Sequence, residues 1–199
     1  MTTLNNAKKI NSLNFCFTGF WVSAIIGVLI FSAGIALLVA IRAEQIAAGM
    51  LTTIRVAIPA GTIIAMVFAC VFGSILLYKL WKLIPSDVAR TSPSKAVGLC
   101  FIPFFGFYWI FVAFWGLGQD MNKTLREREI QYQINEALGL IFCILACVGI
   151  IPRHDFFMTS LFLASQLLAS IVVIFFLKSV KNGAICLLES ESDSFSVTD

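Results

Sequence analysis

The sequence predicts an all-α, polytopic transmembrane helix bundle of four spans, with one further aromatic-rich segment that is interfacial or re-entrant. Three observations carry this. The chain is 59% hydrophobic and only 13% charged, too little charge to clothe a soluble domain of this size. Its mean hydropathy is +0.94. Its apolar runs reach the roughly 20 residues that a helix needs to cross a ~30 Å hydrocarbon core.

The spans are expected at about 15–41, 56–84, 134–151 and 156–177, within a single transmembrane domain covering 15–186. The first follows a short cytoplasmic N-terminus, 1–14. Lys8 and Lys9 precede it in the manner of a signal peptide, but its uncharged stretch from Phe15 to Ile41 far exceeds the ~7–15 residues of a signal core, so it reads as an uncleaved span. In the second, Lys79 and Lys82 can snorkel at the end of the apolar run Val56–Leu77. The third reaches spanning length by joining Ala137–Ile151 to the turn around Ile134. Polar Thr124–Glu136 is expected to begin it as a helix projecting into the cytoplasm, with Glu136 at the edge. The tail, 187–199, is Ser-rich, acidic and without periodicity, and is expected to be disordered.

The remaining apolar segment, 96–118, decides the topology. If it spans, five spans result and the basic residues divide equally between the two sides. If it enters and leaves on one side, eleven basic residues face three. The positive-inside rule favours the second arrangement, with both termini cytoplasmic, in a bacterial inner membrane. Composition agrees. Nine aromatics lie between Phe101 and Trp115, and Pro103 with Gly98, Gly106, Gly116 and Gly118 breaks or loosens the helix. Tyr108, Trp109 and Trp115 are the rings expected at headgroup depth. The competing reading is a tilted spanning helix kinked at Pro103.

Ala57, Gly61, Ala65, Ala69 and Gly73 recur every four residues. They place a ridge of small side chains where another backbone can approach, for packing inside the bundle or for dimerisation. Gly139, Cys143 and Cys147 repeat the spacing, as do Ser165 and Ala169. Gln166 is the main polar group deep in the last span, suited to a hydrogen bond with a neighbouring helix or a contact with a substrate.

No span carries an ionisable residue near its centre, which argues against coupled ion transport. His154, the only histidine, cannot supply a bis-histidine haem or a His-rich metal site. Six cysteines include no Cys-x-x-Cys pair, and they read as small apolar residues. There is no phosphate-binding glycine loop. The expectation is therefore no catalytic residue, no cofactor and no metal. A net charge of +3 gives no case for nucleic acid. Membrane lipids, a second copy of the chain or another membrane protein are the expected partners.

Lys95-Ala96-Val97-Gly98, Phe101-Ile102-Pro103-Phe104-Phe105, Tyr108-Trp109 and Trp115 through Asp120-Met121-Asn122 resemble a group of bacterial membrane proteins. In that group an aromatic Phe-Ile-Pro segment sits between the second and third spans. The resemblance implies a four-span layout and no particular activity. The leading functional expectation is a non-enzymatic scaffold or accessory subunit. The alternative is a small oligomeric transporter or pore for an apolar or neutral solute.

Overall fold

Long uncharged runs without competing turn residues fold as long helices. The computed structural model describes residues 2–41, 48–148 and 156–196, and every element among them is helical. α1 covers Thr2–Ile41, α2 Ala48–Leu83 and α3 Pro93–Gly98. A 3-10 turn at Leu99–Phe101 follows, then α4 at Phe105–Ile110, a π-helical stretch at Phe111–Trp115, and α5 at Gly116–Glu127. α6 spans Glu136–Cys147 and α7 spans Phe156–Ser196. Three stretches are long and apolar enough to cross a membrane: Leu4–Gly34, Ala57–Leu83 and Ala164–Ser192.

Several elements differ from their expected bounds. α6 holds 12 residues, which rise only ~18 Å and fall short of the expected span at 134–151. Residues 149–155, with Arg153 and His154, lie outside the described residues, as does Arg42. Thr124–Glu136 is not one helix. α5 stops at Glu127, Glu129 takes a left-handed φ of 57°, and the chain is non-helical until Glu136. The side chain of Asn135 then caps α6 by accepting from the Ala137 amide at 3.1 Å, and Glu136 sits in its first turn, where the helix dipole favours a carboxylate.

The tail is also corrected. α7 continues helically through Ser196. Its last turns are anchored: Val180, Ala184, Leu187 and Leu188 are buried, Glu191 pairs with Arg128 at 2.6 Å, and Asn6 donates to the Leu188 carbonyl at 3.0 Å. Buried leucines offset the ordering entropy that Ser-rich composition alone would leave unopposed.

The chain packs as two compact units. One is Cys16–Gly73, formed by α1 and α2. Here glycines admit the other helix's side chains: an added Cβ at Gly19 would lie 2.7 Å from the Phe72 ring, and at Gly73 3.1 Å from the Phe20 ring. The outward faces stay apolar, with Ile63, Ile64, Met66, Val67 and Phe68 all more than half exposed, as suits a lipid-facing surface. Pro59 lies inside α2. The Thr62 hydroxyl donates back to the Ile58 carbonyl at 2.9 Å, which satisfies the hydroxyl within the apolar helix.

The other unit comprises Met1–Phe15 and Ser74–Asp199. Its core gathers around α5, where Leu117, Met121 and Leu125 recur every four residues and are fully buried. Trp81, Phe176 and Ile134 are buried in the same unit. Lys79 donates to Ser12 at 2.5 Å and Lys181 to Asn14 at 2.9 Å, tying the start of α1 to α2 and α7.

Candidate functional site

The segment between α2 and α5 is closed at its neck. Arg90 donates from Nη2 to Asp120 Oδ1 at 2.7 Å, from Nε at 3.0 Å, and from its own backbone amide to Asp120 Oδ2 at 3.0 Å. Nη2 also donates to Gln119 at 2.9 Å. Asp120 is 5% exposed, so a planar guanidinium fork meets a carboxylate largely shielded from water, the geometry that makes such pairs strong. Gly116 leaves room for it, since an added Cβ would stand 3.1 Å from the Arg90 side chain.

A second polar knot lies two residues on. Asn122, 2% exposed, accepts from the Ile134 amide at 2.8 Å and donates to the Ile134 carbonyl at 2.9 Å and to Glu136 at 2.7 Å. One amide side chain thereby partners both the N–H and the C=O of Ile134, which lies outside any helix. An open depression of about 550 Å³ adjoins it, lined by Arg126, Gln133, Ile134, Asn135, Glu136 and Ala137.

From the neck the chain runs to an aromatic tip. Phe104 has φ 63° and ψ −49°, and the Phe105 amide donates to the Pro103 carbonyl at 2.7 Å. A three-residue hydrogen-bonded turn with positive φ at its centre is a strained γ-turn, costing of order 1–3 kcal/mol for a residue with a Cβ. Its effect is to hold Phe104 outward, 87% exposed. The Gly106 amide closes the turn onto Ile102 at 2.8 Å, and an added Cβ there would lie 2.5 Å from the Cys100 carbonyl, so only glycine fits.

Around this tip Phe101, Ile102, Phe105, Phe107 and Tyr108 are also exposed. Phe105 stacks on Trp109 with centroids 5.4 Å apart, and Trp109 Nε1 donates to the Lys95 carbonyl at 3.0 Å. Behind the tip, the π-helical stretch frees carbonyls from the ordinary ladder. Trp81 Nε1 donates to Ala113 at 3.1 Å and Cys143 Sγ to Ile110 at 3.4 Å. The Cys100 thiol donates to the Ala96 carbonyl.

The expected site residues separate. Tyr108 and Trp109 share the tip, with centroids 6.5 Å apart. Trp115 leaves it: its Cα would be 3.2 Å from a Cβ at Gly139, so it packs on α6. On the small-residue ridge, Ala65 is buried, Gly61, Ala69 and Gly73 are half-buried and Ala57 is exposed. Gln166 is half-buried, and its backbone carbonyl accepts from Ser170 at 2.8 Å. The sequence does not single out Arg90, Asp120 or Asn122 as site residues, and Ile134 enters it only as a turn; the Asp120-Met121-Asn122 triplet that ends the aromatic motif is the signal for two of them. Among the described residues no three His, Cys, Asp or Glu side chains gather to hold a metal.

Comparisons with protein families, curated proteins and solved structures return no match for this chain. The resemblance of Lys95–Asn122 to the bacterial membrane proteins therefore stands on its residues alone.

Proposed function

We propose that this chain is a non-enzymatic, four-span protein of a bacterial inner membrane, with both termini cytoplasmic, that works as a scaffold or accessory subunit through helix–helix and lipid-interface contacts. The observation that carries the reading is the closed neck with its presented tip. Arg90 and Asp120 touch, so the chain between them returns to the level at which it left, as an interfacial or re-entrant segment does. A helix spanning 96–118 would separate its ends by about the ~30 Å of the hydrocarbon core.

Two further features support the interfacial form. Strain is spent on exposing Phe104, an apolar ring that water would not reward. Lys95 is exposed beside Trp109, and an ammonium at the bilayer centre costs about 2.5–3.5 kcal/mol or more, so headgroup depth suits it. In this reading α6, a shorter apolar helix, lies in the fourth crossing.

Reporter fusions test the topology. Enzymes that report the cytoplasm, fused after Lys95 and after Arg128 in otherwise full-length chains, are expected to give the same cytoplasmic signal. Opposite signals would make 96–118 a span and remove the basis of the proposal.

A further inference from the structure

We infer that the aromatic tip and Lys95 together form a docking surface selective for anionic phospholipid. The inference rests on the interfacial reading above and adds to it the chemistry of the lipid.

The tip has two parts that a phospholipid can satisfy at once. Phe101, Ile102, Phe104 and Tyr108 are 62%, 46%, 87% and 65% exposed, an apolar and aromatic surface of the kind that enters the boundary between headgroups and acyl chains. Lys95 supplies the polar part. Its backbone carbonyl holds the Trp109 indole, so the residue is fixed beside the rings. Its side chain is exposed, and among the described residues no carboxylate pairs with it.

The local charge is one-sided. Between Asp87 and Asp120 the chain carries Arg90 and Lys95 and no acidic residue. Arg90 is neutralised by Asp120 at the neck. Within this stretch Lys95 is therefore the cation with no carboxylate partner among the described residues. A zwitterionic headgroup brings its own cation to such a place, whereas an anionic one brings net negative charge. One lysine held near an anionic surface corresponds to roughly fivefold local enrichment, screened as salt rises.

The test reads directly what lies against the tip. p-Benzoylphenylalanine is incorporated in place of Phe104 in the full-length chain. The protein is reconstituted into vesicles of equimolar phosphatidylglycerol and phosphatidylcholine with identical acyl chains. After irradiation, adducts are identified by mass spectrometry. The expected result is lipid adducts with phosphatidylglycerol in about fivefold excess, the excess falling below twofold in the Lys95→Gln background, which keeps the backbone carbonyl that Trp109 uses. Lipid adducts with no headgroup preference in the unsubstituted background would overturn the selectivity while leaving the interfacial reading intact. Cross-links to protein alone, or none to lipid, would overturn both.

Discussion

Arg90 and Asp120, thirty positions apart, are joined by the guanidinium of one and the carboxylate of the other at 2.7 Å, and the Arg90 backbone amide donates to the same carboxylate. This pair closes the neck of the aromatic segment. Its two members are unequal. Asp120 has 7% of its side chain exposed and Arg90 41%.

That inequality gives an ordered prediction. Arg90→Gln leaves a shielded carboxylate without its cation and should destabilise by about 2 kcal/mol. Asp120→Asn leaves a guanidinium that water can still reach and should cost about 1 kcal/mol, reduced by screening. Unfolding of the purified variants in mild detergent measures both, and the double variant should fall short of additivity by about 1 kcal/mol. Equal, additive losses would mean that the pair is decorative.

The γ-turn predicts a substitution that stabilises while removing a large side chain. Glycine accepts positive φ without steric cost, so Phe104→Gly should raise stability by about 1 kcal/mol once its extra backbone entropy is subtracted. Phe104→Ser, which keeps a Cβ, should not. Thermal unfolding of the two variants decides, and a lower melting temperature for Phe104→Gly would show that the aromatic ring is buried against something.

Glycine sites separate packing from propensity. At Gly139 an added Cβ would lie 3.0 Å from the Phe176 ring and 3.2 Å from the Trp115 Cα, and a backbone atom cannot rotate away. Gly139→Ala should therefore cost about 1–3 kcal/mol. Gly98 is already in αR geometry with nothing within 4 Å, so Gly98→Ala should be neutral or favourable by up to about 0.5 kcal/mol. Gly19→Ala, meeting Phe72 at 2.7 Å, should resemble Gly139→Ala. Unchanged melting in Gly139→Ala and Gly19→Ala would contradict the close approaches.

What could be read from the sequence followed hydropathy and local spacing. The all-helical class, the long apolar helices and the prominence of 101–115 are local properties, visible because apolar side chains and prolines act within a few residues. The neck was not legible, because Arg90 and Asp120 lie in stretches that resemble ordinary polar loops and nothing in a single sequence pairs them. The helical tail was missed for a related reason. Ser and Glu set its composition, but Leu187 and Leu188, buried at 3% and 1% exposure, set its structure. Ring chemistry alone groups Trp115 with Tyr108 and Trp109, whereas the π-helical stretch that ends at Trp115 shifts the register in which side chains emerge.

The most direct test is the depth of Tyr108. The chain contains three tyrosines, so 3-fluorotyrosine labelling gives a ¹⁹F spectrum of three resonances, and Tyr108→Phe assigns the one of interest without disturbing the fold. The labelled protein is placed in nanodiscs whose headgroups carry a gadolinium chelate, and separately in nanodiscs bearing a nitroxide at the acyl-chain terminus. The expected result is strong broadening of Tyr108 by the headgroup gadolinium and little by the chain-end nitroxide. Broadening by the chain-end nitroxide, with the resonance left sharp by gadolinium, would place Tyr108 at the bilayer centre and contradict the interfacial tip.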